Sequence, residues 1–186
     1  MDAFSYLSVL ISVILGFAVQ QVLLGYRALI LSRRRIRFYA PALIWSVLLM
    51  AMVAQHWWAS FGLAGRSDWS FAQFASTLAQ TALLYMMAAL VLPDVQPDEA
   101  ADLKAHYYRE VPAFFGVGIA AILWNSVREY LLFGEHPLGF ELGFQLLFLT
   151  LSIAAVVVRR ARFHEALAVV MPFILAAYIA LLFSTL

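Results

Sequence analysis

Long apolar stretches separated by short polar segments dominate the pattern of this chain. A helix that spans a membrane needs about 20 mainly apolar residues, because each residue adds about 1.5 Å and the hydrocarbon core is about 30 Å thick. Six stretches meet this requirement, at about 4–31, 39–63, 69–92, 111–133, 138–158 and 163–186. The pattern therefore predicts an all-α fold, a polytopic integral membrane bundle of six transmembrane helices that form a single domain over residues 1–186.

The longest polar segment, residues 93–109, separates the third and fourth stretches. Pro97 is followed by Asp98 and Glu99, as at the start of a helix, and basic residues follow towards Arg109, as the helix dipole prefers. This arrangement predicts one short cytoplasmic helix that lies on the membrane surface.

Composition supports a lipid environment. Hydrophobic residues make up 65% of the chain and charged residues only 12%, whereas about a quarter of the residues in a soluble domain are charged. The chain contains no cysteine, which excludes disulfides, thiolate metal sites and cysteine nucleophiles.

Basic residues are concentrated on one side of the predicted membrane topology. Only Arg66 and Arg128 of the 12 Lys and Arg residues fall on the opposite side. The others are Arg27, Arg33, Arg34, Arg35, Arg37, Lys104, Arg109, Arg159, Arg160 and Arg162. Positively charged loops stay in the cytoplasm, so we expect a cell-membrane protein with both termini outside, which in a bacterium means the inner membrane with periplasmic termini.

Two arginine-rich loops are the candidate lipid contacts. At the headgroup level of the inner leaflet, each arginine would attract anionic lipid by ~1 kcal/mol. The alternative is that these residues only set the topology. The residues are Arg33, Arg34, Arg35, Arg37, Arg159, Arg160 and Arg162.

Polar residues also form stripes on two predicted helices. On the first, small and polar residues that include Gln20 fall within an arc of about 120°, and on the third, Gln73, Thr77 and Gln80 belong to an arc of about 140°. One interpretation is a pore or substrate path. Helix packing is the favoured alternative, because small residues allow close approach and polar side chains bond across helices.

A third set of polar residues lies at a common depth, most of them about 5–11 Å outward from the bilayer centre. These residues are Gln55, His56, Gln73, Asn125, Arg128, Glu129, Glu141 and Gln145. They indicate either an outward-facing polar pocket or an interhelical network, which is the favoured interpretation. Because an unpaired charge at this depth costs ~2.5 kcal/mol or more, we expect Arg128 to pair with Glu129 or Glu141. Snorkelling of Arg128 to the interface is a further alternative.

Candidate catalytic and cofactor chemistry is weak. Only His56 lies well inside a predicted span, so a bis-histidine haem is not expected, and an interior hydrogen-bonded histidine is the favoured interpretation. Asp98 and Asp102 would share a helix face, but no second acidic cluster completes a two-metal site. We therefore expect no catalytic residues, no metal and no cofactor.

These features favour a small channel or transporter with an outward-facing polar pocket. The alternative is a non-catalytic accessory or scaffold subunit of a larger membrane assembly. An enzyme acting on lipid-like substrates is the weakest hypothesis, because no nucleophile, base or metal cluster shares one depth. The expected partners are membrane lipids and either further copies of the chain or a larger membrane complex, with no nucleic acid.

Overall fold

The computed structural model describes residues 3–94 and 100–182, and within these ranges it contains six α-helices. They are α1 (Ala3–Leu31), α2 (Ala40–Ser60), α3 (Phe71–Val91), α4 (Leu103–Phe133), α5 (Gly139–Val157) and α6 (Ala161–Leu182). All six are long and apolar enough to cross a membrane. By helix content, length and composition, the prediction of an all-α, multi-pass chain with six spans is confirmed.

Two short strands fix one end of the bundle. The strand β1 (Ile36–Arg37) follows α1, and β2 (Ala101–Asp102) precedes α4; they pair in parallel. The loop before α6 lies at the same end, because His164 bonds to Tyr107 near the start of α4. We call this the basic end, since the arginine-rich loops lie there. The opposite end, which we call the distal end, carries a 3₁₀-helix (Phe61–Leu63) after α2 and the turn after α4.

The predicted separate surface helix is not supported. Residues 95–99, where its start was expected, lie outside the described residues, and residues 103–109 belong to the continuous helix α4. Asp102 caps this helix by accepting hydrogen bonds from the amides of Lys104 and Ala105, at 2.8 and 3.0 Å. Leu103 and Tyr107 are buried in the core, so the first turns pack inward. The span that was expected to begin at about residue 111 therefore begins earlier, and the helix continues through Pro112.

The helices form a ring with one helix outside it. Around the ring, α2 packs on α3, α3 on α4, α4 on α5, α5 on α6, and α6 returns to α2. Helix α1 packs on α2 and α3 from the outside. A ring of helices can enclose a space at its centre, and α1 is placed where it cannot line that space.

An apolar seam holds α1 against the ring. Leu7, Ile11, Leu15, Ala18 and Val22 are all buried, and their spacing of three and four residues puts them on one helix face. Gln20 of the predicted polar stripe lies away from this seam and is exposed.

Aromatic residues fill the basic half of the ring. Trp45 of α2 meets Phe114 and Phe115 of α4 edge to face, with ring centroids 5.5 and 5.1 Å apart, a favoured geometry for aromatic pairs. His164 of α6 is fully buried beside them. Its Nδ1 lies 3.0 Å from the Tyr107 hydroxyl, and its Nε2 lies 2.9 Å from the carbonyl oxygen of Val158. We call Trp45, Phe114, Phe115 and His164 the aromatic layer.

Candidate functional site

The helix ring encloses a cavity of about 420 Å³. Residues from α2 to α6 and from the 3₁₀-helix line it, and α1 contributes none of the lining. Buried residues of the aromatic layer, such as Trp45 and Phe115, bound it towards the basic end. Exposed Gly62 and Phe133 bound it towards the distal end. The cavity therefore opens at the distal end and is closed towards the basic end, and we call it the distal cavity.

The distal cavity collects most of the polar residues singled out from the sequence. Those that line it are Gln55, His56, Gln80, Asn125, Arg128, Glu129, Glu141 and Gln145. They come from α2, α3, α4 and α5. Helical rise had placed all of them except Gln80 at one depth, and Gln80 had been singled out by its position in the polar stripe of the third span.

Three of the predicted residues do not line the cavity. Gln20 lies on the exposed face of α1, away from the ring. Thr77 is fully buried and donates its hydroxyl to the carbonyl of Gln73. Gln73 forms a capping box with Ser70 at the start of α3, and its amide donates to the Leu131 carbonyl at 2.8 Å. The bonds of Thr77 and Gln73 serve the helices themselves and the packing of α3 on α4.

Arg128 is paired with a carboxylate, as predicted. Its Nη2 lies 2.5 Å from Oε1 of Glu129, and the two side chains are only 14% and 18% exposed. The pair is formed by neighbouring residues of α4, so it does not join two helices. The Nε atom of Arg128 is buried and has no hydrogen-bond partner among the described residues.

His56 is an interior hydrogen-bonded histidine. Its Nε2 lies 3.1 Å from Oγ1 of Thr81. The Thr81 hydroxyl donates to the Thr77 carbonyl, so it is left to accept at His56, which places a proton on Nε2. This bond joins α2 to α3 beside the cavity.

Gln145 joins α5 to α4. Its amide nitrogen donates to the Ile122 carbonyl at 3.0 Å and to the hydroxyl of Ser126. The predicted interhelical bonds are therefore present, but as separate bridges and not as one network pinned by Arg128.

Two acceptors in the wall have no such bonds. Gln80 is 8% exposed, and its Oε1 is buried without a partner among the described residues. Glu141 lies half-buried in the first turn of α5, where the helix dipole favours a negative charge. Within the part of the chain that the structure describes, Glu141 forms no hydrogen bond and no ion pair.

The floor of the cavity is apolar. Leu48, Leu84, Met87, Met171 and Leu175 line it towards the aromatic layer, and all five are buried. The wall is therefore polar near the distal opening and apolar at depth. The sequence did not identify these floor residues, because apolar residues that line a cavity do not differ in type from those that pack in a core or face lipid.

The basic end presents a different surface. The seven arginines of the two loops are all exposed. Arg37 pairs with Asp102 at 3.3 Å across the short strands. Backbone hydrogen bonds from Ala105 and Lys104, together with Arg37, lower the pKa of Asp102 below its ordinary value. Lipid binding by these arginines stays a prediction.

Among the described residues, no cluster of three or more His, Asp or Glu side chains could hold a metal ion. The distal cavity offers one ion pair, one further carboxylate, several amides and a large apolar floor. Comparisons with protein-family models, curated proteins and solved structures found no match for this chain.

Proposed function

We propose that this chain is a small membrane transporter that binds an amphipathic solute in the distal cavity. The observation that carries the proposal is the cavity itself, which has the size of a ligand site, roughly 300–1,000 Å³, and is polar at its opening and apolar at its floor. A solute with a polar head and an apolar body matches both parts.

The closed basic end supports a carrier rather than an open channel. The aromatic layer fills the ring below the cavity floor, so a solute that enters at the distal end cannot pass through without a rearrangement. Two lining helices carry a proline, Pro112 of α4 near the aromatic layer and Pro172 of α6 beside the floor residue Met171. Because proline removes a backbone hydrogen bond and favours a kink, these positions are suited to the bending that such a rearrangement requires.

Flux through liposomes containing only this chain tests the proposal. Three octyl probes, with trimethylammonium, sulfobetaine and sulfonate head groups, sample the head-group charge. We expect flux of at least one probe. Ala121 lines the cavity and is buried, so Ala121→Phe should fill the space and abolish that flux.

The matched control is Ala120→Phe. Ala120 is the neighbouring residue of α4 but is exposed on the outside of the ring and does not line the cavity. Flux should survive this change. Absence of flux for every probe, or equal flux in the Ala121→Phe and Ala120→Phe variants, would refute transport through the cavity.

An accessory subunit is the second candidate, and one observation favours it. Gln20 lies near the middle of α1 and is exposed, which puts a polar amide where lipid would surround it at an energetic cost. A neighbouring subunit that bonds to Gln20 would remove this cost. Co-purification of a stoichiometric partner that is lost in Gln20→Leu, without flux by the isolated chain, would favour this alternative.

A further inference from the structure

We propose that the distal cavity selects cations: its solute is a lipophilic cation, with an amine or quaternary ammonium head and an apolar body. This inference rests on the proposed function and adds the chemical class of the ligand. It follows from the charges in the cavity wall, the acceptors that lack partners and the nature of the floor.

The cavity wall has one more negative charge than positive charges. Arg128, Glu129 and Glu141 are its charged residues. Arg128 and Glu129 neutralise each other at 2.5 Å, which leaves the Glu141 carboxylate. A carboxylate beside a low-dielectric cavity attracts a cation far more strongly than it would in water.

Unpaired acceptors point to the same class. Glu141 has no partner in the described part of the chain, and the Oε1 of Gln80 is buried without one. Burying a polar acceptor without a hydrogen bond costs free energy. The N–H groups of an amine head would satisfy such an acceptor, whereas a quaternary ammonium head has no N–H and is attracted by its charge alone. Two buried donors that line the cavity, Arg128 Nε and Trp45 Nε1, also lack partners among the described residues. They do not make an anion site, because Glu129 compensates the charge of Arg128 and the Trp45 indole is neutral.

The aromatic rings that line the cavity suit the rest of such a molecule. Trp45, Phe114, Phe115, Phe148 and Tyr178 all line the cavity. Aromatic faces attract cations as well as apolar groups, with tryptophan the most effective. A lipophilic cation can therefore bury its apolar body among these aromatic rings, which also attract its positive charge.

Equilibrium binding of radiolabelled octyltrimethylammonium to the full chain in nanodiscs tests the inference, with empty nanodiscs as background. Octylsulfonate has the same tail and the opposite charge. We expect saturable binding that unlabelled octyltrimethylammonium displaces and octylsulfonate does not. Glu141→Gln should weaken binding at least about tenfold, because it removes the charge but keeps the shape, and Glu141→Asp should retain most of it.

Glu135→Gln is the matched control, since Glu135 lies exposed at the same end and does not line the cavity. Its affinity should equal that of the wild type. The inference is wrong if the ammonium probe shows no saturable binding, if octylsulfonate competes equally, or if Glu141→Gln binds like Glu135→Gln. Sulfonate flux that Ala121→Phe blocks would keep the transporter and reject the cation class. Glu141-dependent binding without any flux would keep the cation site and reject transport.

Discussion

Removal of the Arg128 guanidinium should destabilise the protein strongly. In the Arg128→Gln variant, the Glu129 carboxylate loses its partner at 2.5 Å while its side chain stays only 18% exposed. Removing one member of a buried ion pair costs about 3–5 kcal/mol. Because the pair borders a cavity that opens at the distal end, we expect a loss of free energy of unfolding near the lower end, about 3 kcal/mol.

The double variant separates pairing from the presence of charge. In Arg128→Gln with Glu129→Gln, neither side chain carries a charge, so the free energy of unfolding should return to within about 1 kcal/mol of the wild type. Arg34→Gln is the control, because Arg34 is exposed in a loop, and its effect should stay within about 0.5 kcal/mol.

Denaturation by dodecyl sulfate in bicelles, followed by the fluorescence of the 5 tryptophans, measures these differences. The double variant should also retain binding of octyltrimethylammonium, because Glu141 is unchanged. The reasoning is refuted if Arg128→Gln is as stable as Arg34→Gln, or if the double variant is less stable than Arg128→Gln alone.

The remaining predictions concern the packing of α1 and the start of α4. A Cβ at Gly25 would lie 2.8 Å from both Cβ and Cδ1 of Leu92, so Gly25→Ala should lower the free energy of unfolding by about 1–3 kcal/mol. A Cβ at Gly16 would have nothing within 4 Å, so Gly16→Ala should raise the free energy of unfolding by about 0.5–1 kcal/mol. If unfolding in bicelles showed Gly25→Ala to be more stable than Gly16→Ala, the proposed packing of α1 would be contradicted. Asp102→Ala should lower the unfolding midpoint more than Asp102→Asn, since asparagine still caps a helix. Folding lowers the pKa of Asp102 below its ordinary value of 3.8, so the ionised carboxylate stabilises the folded state. The wild type should therefore be more stable than Asp102→Asn at neutral pH, and this difference in stability should disappear as the pH falls below 3.8.

Hydropathy was sufficient for the number and order of the helices, since a span of about 20 apolar residues is a strong signal. It was insufficient at the start of α4. The fourth span was expected to begin at about residue 111, yet buried Leu103 and Tyr107 hold the preceding turns against the core, and tertiary packing of this kind is not visible in local sequence. The pair of two-residue strands was not predicted for the same reason, because partners 65 residues apart bring them together.

The sequence predicts the depth of a residue in the membrane better than it predicts whether its side chain faces the ring. Helical rise gave the depth of Gln55, Asn125 and Gln145, and all three line the cavity. Helical angle showed which residues share a face, but it did not show which face meets the ring. On α1 the apolar seam faces inward, and Gln20 lies outside.

The choice of ion-pair partner also required the structure. Glu129 and Glu141 lie at similar depth, and only the side-chain geometry places Glu129 on Arg128. That choice leaves Glu141 without a partner in the described part of the chain and makes it the basis of the proposed cation site.

Solvent access to the distal cavity tests the account most directly. The chain has no cysteine, so a single introduced cysteine is the only thiol. Asn125 lines the cavity, whereas Val127, two residues along α4, is exposed on the outside of the ring and does not line it. In oriented vesicles, a charged, membrane-impermeant thiol reagent added at the distal side should label Asn125→Cys, and octyltrimethylammonium should slow the labelling, while Val127→Cys stays unlabelled in lipid. Labelling of Val127→Cys at the same rate, or no labelling of Asn125→Cys from the distal side, would contradict a solute cavity that opens at this end.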